Sequence, residues 1–265
     1  MERSQLKKIT ILSFFVSFII ISSSIQVSGI YTNNRIEGRI NKTGNQGKIL
    51  ILVMEDIFSD LKKELLTFIN DIESDGYLVE LYHKEVIDWR TPQKVRKFIK
   101  SHITDLIGCI LVGHIPMPQY KIKGYMNEYE IFPCDYYYMD LDGSWEFQSD
   151  NYYNGFYYSI FKNHTAGNGD VEPEIWVGRI TPDLWLGDEV ELLKDYFDRN
   201  HKYRTRENPR SSRALLYIDD PWTQYADEYK NYMKKVYPSS SITVVTDEEK
   251  TRKKDFMKKV KSGNF

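Results

Sequence analysis

The chain has 265 residues with 36 basic and 38 acidic side chains, so its net charge is only −2. Such a balance gives no basic field that holds nucleic acid or an anionic membrane, and we expect neither as a partner. The length suits an α/β domain with a sizeable core, and two cysteines do not make a disulfide framework.

Residues 1–29 are typical of a secretory signal peptide. Three basic residues precede a largely apolar run over 9–21, and Val27 and Gly29 occupy the small-residue positions of a cleavage site. The run is shorter than the roughly 20 residues that a spanning helix needs. We predict cleavage near Gly29, with an uncleaved anchor as the alternative. The mature protein is then secreted or at the cell surface, without membrane attachment.

A polar segment over 30–47 predicts a leader or linker before the folded domain. Beyond it, buried apolar runs alternate with amphipathic helices, which is typical of parallel strands covered on both faces. We predict a three-layer α/β/α domain over 48–265 with a mainly parallel sheet. The predicted sheet strands are 48–54, 77–82, 107–112, 214–218 and 242–245, and the predicted helices are 57–74, 91–102, 188–203, 223–236 and 250–261.

An aromatic and acidic insertion follows the third strand, between Cys134 and a short strand that ends at Ile180. Ten of the 20 tyrosines fall between Tyr120 and Tyr158. A solvated loop is not built this way, so we predict an ordered insertion that packs on itself and forms one wall of a site.

His114 stands where the third predicted strand ends, at the edge where open α/β sheets bind ligands. It is a candidate base or ligand, or a histidine that bonds a loop carbonyl. Cys134 lies in an acidic and apolar sequence, which disfavours the thiolate of a His114–Cys134 dyad. Cys109 is expected to pack in the core, and export permits a bridge between the two cysteines.

Asp140 and Asp142 precede Gly143 with the alternating spacing that opens a calcium loop, and Asp150 is a candidate third ligand. The remaining loop positions do not match, so a solvated turn is the alternative. We predict no cofactor other than a structural calcium. The other histidines show no metal-ligand spacing.

Arg179 ends a short strand beside a glycine. It is suited to clamp a substrate carboxylate or to pair with Asp135 or Asp183, and we favour the structural pairing. Asp219 and Asp220 follow the RALLYI strand beside Trp222. They are suited to hold a cationic side chain or to cap the next helix.

Several segments taken together resemble the gingipain-type cysteine peptidases. They are GCILVGHIPMP at 108–118, CDYYYMDLDGSW at 134–145, PEIWVGRI at 173–180 and the helix that ends in HKYR at 201–204. The resemblance covers about 48–265. It implies a caspase-like α/β fold, secretion, protein or peptide substrates, and cleavage by a His–Cys dyad. His114 departs from the family pattern, which carries an aspartate there.

The resemblance also implies where the remaining functional residues lie. The family's catalytic His sits in a Gly-His-Gly segment after a helix like KKVKSG at 258–263, and its Cys ends the following strand. We therefore expect the dyad beyond Phe265 and interpret the chain as truncated inside its domain. In some relatives an acid that reads basic substrate side chains follows the RALLYI strand, which makes Asp219, Asp220 and Asp227 the candidates here.

The sequence thus predicts the N-terminal part of a secreted cysteine endopeptidase. The alternative is a non-catalytic secreted module that binds a sugar or protein ligand through the tyrosine-rich insertion.

Overall fold

The computed structural model of the chain describes 29–32, 35–38, 46–84, 89–124, 128–153, 156–182, 187–207, 212–218, 222–247 and 250–263. The predicted signal peptide up to residue 28 lies outside these ranges. None of the helices within them is long and apolar enough to cross a bilayer. The chain divides into two compact units, the first running to His201 and the second starting at Lys202.

Twelve strands and six α-helices are described, labelled here in chain order. The strands are β1 Gly29–Thr32, β2 Arg35–Gly38, β3 Lys48–Met54, β4 Leu78–Lys84, β5 Leu106–Val112, β6 Met117–Lys123, β7 Tyr129–Pro133, β8 Ser144–Tyr153, β9 Phe156–Thr165, β10 Trp176–Ile180, β11 Ala214–Tyr217 and β12 Ile242–Val245. The helices are α1 Glu55–Ser74, α2 Pro92–Ser101, α3 Tyr136–Met139, α4 Glu189–Arg204, α5 Ala226–Met233 and α6 Lys253–Gly263.

The first unit is built on a six-stranded sheet in the order β1-β2-β4-β3-β5-β10. Its strands β4, β3 and β5 are parallel, as their apolar sequences predicted, and β10 pairs parallel with β5 as a further strand. β3 lies in the middle and its residues 49–54 are all buried. The fold class predicted from the sequence is confirmed for this sheet.

Helices cover both faces of the sheet. His83 and Tyr82 are neighbours on β4, so their side chains point to opposite faces. His83 stacks on Phe58 of α1 with ring centroids 3.8 Å apart, and Tyr82 meets Phe98 of α2 edge to face. The three-layer arrangement follows from these two contacts.

Two short strands lie in the segment around 30–47 that we predicted as a leader or linker. β1 and β2 pair with each other, and β2 pairs antiparallel with β4. Neither sequence contains a continuous apolar run like that of β3, which is why the pattern of the sequence did not indicate them. The role of 30–47 as a linker stays a prediction.

The aromatic insertion contributes β8 and β9 to a second sheet, in the order β7-β6-β9-β8, in which β6 and β7 come from the segment just before Cys134. Its inner aromatic residues pack together: Tyr137 of α3 stacks on Phe161 with centroids 4.1 Å apart, and Trp145 meets Tyr137 edge to face. The expectation that the insertion is ordered and packs on itself holds, because rings on β8, β9 and α3 share one core.

The second unit contains β11 and β12, which pair parallel with each other. We predicted that both strands would join the main sheet, and that prediction was wrong for the described residues. Each strand has only four residues, and an apolar run indicates that a strand is covered without indicating which strands are its neighbours. α5 and α6 complete the unit, and Phe256 of α6 packs on Tyr217 of β11.

Candidate functional site

The turn after β5 carries His114 at the carboxyl edge of the first sheet. The backbone N–H of Gly113 donates to Ile180 O at 3.0 Å, and Thr181 Oγ donates to Gly113 O at 2.8 Å, so the turn is tied to the end of β10. Gly113 has φ of 81°, and a Cβ there would lie 2.6 Å from Ile57 Cδ1. The positive φ favours glycine immediately before His114, and a larger residue would also displace the end of the Ile57 side chain.

His114 faces a glutamate that sequence reasoning did not single out. Its ring lies against Phe156 with centroids 4.2 Å apart, and its Nε2 is 3.7 Å from Oε1 of Glu189, the first residue of α4. Both atoms are buried, and neither has a hydrogen-bond partner among the described residues. Two complementary polar atoms thus face each other just beyond hydrogen-bond distance.

The surroundings favour the uncharged form of both groups. Burial lowers the pKa of His114, with Asp56 opposing the shift and Arg179 adding to it. Burial, together with the carboxylates of Asp56 and Asp188, raises the pKa of Glu189 to about 6. Removal from water disfavours any charge, which explains why an acid and a base move in opposite directions at one place.

A second histidine–glutamate pair lies at the end of β4. His83 Nδ1 is in direct hydrogen-bond contact with Oε2 of Glu55, the first residue of α1. Stacking on Phe58 fixes the imidazole ring. We call this pair closed, because its two side chains are within hydrogen-bond distance. The His114–Glu189 pair is open, because its two atoms lie 3.7 Å apart.

The structure places Arg179 against Asp135. Nε and Nη2 of Arg179 donate to the two carboxylate oxygens of Asp135 at 2.9 and 2.7 Å. Nη1 and Nη2 also donate to the carbonyl oxygens of Ile115 and Pro116 at 2.6 and 3.3 Å. The guanidinium thereby ties β10 to the turn after β5 and to the start of α3, which is a structural role. Asp183 lies outside the described residues.

Neither cysteine has the environment of a nucleophile. Both thiols are free, Cys109 being fully buried and Cys134 partly buried. Burial raises the pKa of each thiol, and the carboxylate of Asp135 raises both further. No imidazole described by the structure bonds to either sulfur. The thiolate is disfavoured at both positions.

Two basic residues of α2 fix the turn that follows α3. Arg96 Nη2 donates to the carbonyl oxygens of Asp140 and Gly143 at 2.7 and 3.0 Å. Lys100 Nζ donates to Leu141 O at 2.8 Å. The DLDG segment is therefore a rigid turn bound to a helix, not a solvated loop.

The carboxylate of Asp140 is fully buried inside this turn. Its Oδ1 accepts from Gly143 N at 2.7 Å, and its Oδ2 is in direct contact with Nε2 of His164. His164 in turn stacks on Trp145, with centroids 3.9 Å apart. Protein donors thus satisfy both oxygens, which is how a buried carboxylate is normally held.

Three carboxylates come together at this turn and are able to hold a cation. Oxygens of Asp140, Asp142 and Glu174 lie within 4.8 Å of one another. We predicted Asp150 as the third ligand, but Asp150 lies on β8 and accepts a hydrogen bond from Ser159 Oγ. Asp140 and Glu174 already accept bonds from the protein, Glu174 from Leu141 N. Calcium at this site stays a prediction.

The predicted specificity acids belong to the second unit. Asp219 and Asp220 lie outside the described residues. Asp227 is described; it is exposed in the first turn of α5. The described part of the β11 end is Ile218, whose N–H donates to Val245 O at 2.9 Å. These three acids remain predictions for the substrate site.

The sequence indicated His114 and Asp140 as candidate site residues, but it did not indicate the residues that contact them. Glu189 faces His114 from a distant part of the chain, and Glu174 joins Asp140 from a segment that carried no metal-binding motif. His164 was set aside because it lacks metal-ligand spacing, yet it contacts Asp140. In the sequence, these three partner residues are marked only by a titratable side chain close to the end of a helix or strand. Such residues are too common for that signal to identify a functional residue.

The first unit defines an α/β protein in which helices sandwich parallel strands and the turns at one sheet edge carry the polar residues. Residues 42–264 match the model of Peptidase family C25. The chain belongs to this family, the gingipain family of cysteine peptidases, which implies a caspase-like fold and protein substrates. No curated protein and no solved structure matches the chain.

Proposed function

We propose that the chain is the N-terminal part of a secreted cysteine endopeptidase domain whose His–Cys dyad follows Phe265. The match to Peptidase family C25 over 42–264 carries the proposal. In the family, the catalytic His follows a helix that corresponds to α6, and the Cys ends the next strand. Both positions then fall beyond Phe265.

The second unit supports this proposal through its uncovered apolar surface. A sheet of two strands is marginal by itself. Among the described residues, β11 and β12 pair only with each other. Leu215 and Leu216 stay partly exposed, and α6 exposes Phe256, Met257 and Val260. Further strands and helices of the same domain would cover this surface.

The described cysteines support it as well. A peptidase of this class needs a thiolate beside an imidazole. Burial and Asp135 hold Cys109 and Cys134 in the thiol form, so neither competes with a nucleophile carried elsewhere. Cys134 also has its backbone N–H engaged by Pro118 O at 2.8 Å, which fits a structural position.

The decisive experiment extends the reading frame. We expect a Gly-His-Gly segment and a strand that ends in Cys within about 60 residues after Phe265, roughly half of a typical domain. The extended protein should cleave fluorogenic peptides, and replacement of the new Cys by Ser should abolish turnover. Activity that survives that change but is lost in Cys134→Ser would overturn the proposal.

Secretion has its own test. The basic and apolar segment over 1–29 supports export with cleavage near Gly29. N-terminal sequencing of protein from the culture medium should start close to residue 30. Protein that stays cell-associated with Met1 intact would indicate the uncleaved anchor.

A non-catalytic binding module is the second candidate function, and one observation favours it. The second sheet exposes large aromatic rings on its two edge strands: Tyr129 on β7, and Tyr152 and Tyr153 on β8, which are 66%, 61% and 67% exposed. Exposed rings of this kind stack on sugars or anchor protein partners. The module is favoured if the extended frame carries no His–Cys dyad.

A further inference from the structure

Helix α4 is fastened to the rest of the first unit at several points along its length. Phe197, in its middle, packs on Phe68 of α1 with ring centroids 5.1 Å apart. Nearer its end, Nδ1 of His201 lies 2.9 Å from Oδ2 of Asp71. At its start, Glu189 faces His114 at 3.7 Å. The first of these contacts is apolar and the second is closed, so only the contact at the start of the helix is left open.

The open contact also differs from its neighbour at the same sheet edge. His83 and Glu55 are in direct hydrogen-bond contact at the end of β4. His114 Nε2 and Glu189 Oε1 are buried and lack any partner within the described part of the chain. A buried donor or acceptor without a partner is unfavourable, so the open pair gains from any change that closes it.

We propose that His114 and Glu189 form a proton-dependent latch that fastens the first turn of α4 to the turn after β5. One proton from solvent binds the pair and lies between Nε2 and Oε1 in the closed state. Because burial disfavours charge on both groups, the proton resides on the carboxyl group of Glu189 and the imidazole stays neutral. The carboxyl O–H donates to the unprotonated Nε2 of His114, and the two buried atoms satisfy each other.

Burial and the carboxylates that face Glu189 favour its proton uptake in mild acid, whereas burial keeps His114 neutral. Asp56 contributes a carboxylate from α1, and Asp188 contributes another from the residue before α4. Arg179 of β10 acts in the opposite direction on His114, but its guanidinium is already paired with both oxygens of Asp135. Glu189 titrates at a pKa of about 6, within the range where imidazole also changes charge.

The carboxylate of Glu189 lies close to the backbone of Gly113. A Cβ at this position would lie 3.5 Å from Oε1 of Glu189 and 2.6 Å from Ile57 Cδ1. The carboxylate therefore approaches the backbone of the turn itself. A short movement of the glutamate side chain closes the remaining distance to Nε2, without rearrangement of the sheet.

Hydrogen exchange on the 265-residue chain tests the latch. The N–H of Leu192 donates a backbone hydrogen bond at the start of α4, to Asp188 O at 3.0 Å. We expect its protection factor, relative to that of Leu50 in the core of β3, to rise about tenfold between about pH 7.5 and about pH 5. Glu189→Gln and His114→Gln should each remove this rise. The matched control is Glu55→Gln, which alters the closed pair and should leave the rise intact.

A side-chain titration covers the case in which a variant does not fold. The ring nitrogen chemical shifts of His114 in the wild-type chain should follow the same one-proton transition as the protection of Leu192. The latch is ruled out if the protection of Leu192 is independent of pH. It is also ruled out if the two transitions occur at different pH, or if the rise survives in Glu189→Gln.

Discussion

Arg179 grips Asp135 through both carboxylate oxygens, at 2.9 and 2.7 Å, and at the same time holds two backbone carbonyls of the turn after β5. The side chains are only 14% and 28% exposed, so the pair is largely removed from water. A planar fork is needed for this arrangement, and the point charge of lysine does not reproduce it.

We predict that Arg179→Lys lowers the free energy of unfolding by about 2–4 kcal/mol, because it breaks a partly buried pair and leaves its partners unsatisfied. Urea denaturation measures the change. Arg199→Lys is the matched control: Arg199 pairs with Asp195 on the surface of α4, with 64% of its side chain exposed, and should lose less than about 0.5 kcal/mol. Equal losses in the two variants would contradict the assigned role.

Glycine at 113 should be irreplaceable, whereas glycine at 178 should not. Gly113→Ala places a Cβ 2.6 Å from Ile57 Cδ1 on a backbone with φ of 81°, and we expect a loss of about 2–4 kcal/mol. A Cβ at Gly178, in β10, meets nothing within 4 Å. Gly178→Ala should therefore change the unfolding free energy by less than about 1 kcal/mol. A tolerated Gly113→Ala would mean that the turn adjusts freely.

The main sheet was predictable because its physics is local. The run KILILVM has no polar residue after Lys48, and burial on both faces explains such a strand; β3 has the predicted bounds. Helix α1 was indicated by apolar residues at helical spacing, and the structure places all of them within it: Phe58, Leu61, Leu65 and Phe68. These signals need no knowledge of what packs against the element.

The rest depended on pairings between distant residues. β6 and β9 are parallel neighbours although two other strands separate them in the chain, an order that no spacing of tyrosines indicates. His114 was visible as a residue at a strand end, but its partner lies on α4. The acidic turn was visible too, yet Glu174 replaces Asp150 because the chain returns to the turn only after β9. Residue type indicates a site; tertiary contact selects its members.

Asp140 should be essential to its turn with or without calcium. Its fully buried carboxylate accepts from Gly143 N and contacts His164, so Asp140→Ala should cost about 2–4 kcal/mol by leaving both partners unsatisfied. Asp142→Ala, at an exposed neighbour, is the control. We expect the loss in Asp140→Ala to be the same in calcium and in chelator. A loss that disappears when calcium is chelated would show that the cation is the main partner.

Glu189→Gln should change how stability depends on pH. The pKa of Glu189 in the folded protein is raised to about 6 from its ordinary value of 4.5. Its contribution is therefore fully present below about pH 4.5 and is lost as the pH rises through about 6. We expect the variant to be about 1–2 kcal/mol more stable than wild type near pH 7.5, relative to their difference near pH 4.5.

His114 produces the opposite dependence, because its lowered pKa favours folding as the pH rises toward its ordinary value. His114→Gln should remove this gain in global stability, and it should also remove the acid-induced protection of Leu192, which needs both residues. Urea denaturation at several pH values measures the global stability of both variants. A His114→Gln profile with the same pH dependence as wild type would show that His114 does not titrate as assigned.

The last prediction concerns the substrate acid of the proposed peptidase, sought among Asp219, Asp220 and Asp227. A carboxylate that pairs with a substrate Arg or Lys discriminates strongly, because the wrong substrate leaves the charge unpaired. The corresponding Asp→Asn change should cost about 2–5 kcal/mol of transition-state binding for basic substrates, with little effect on neutral ones. The measurement is kcat/KM of the extended protein for matched Arg and Ala peptides. An equal loss on both peptides would make the residue structural, and three silent variants would place the specificity pocket on another loop.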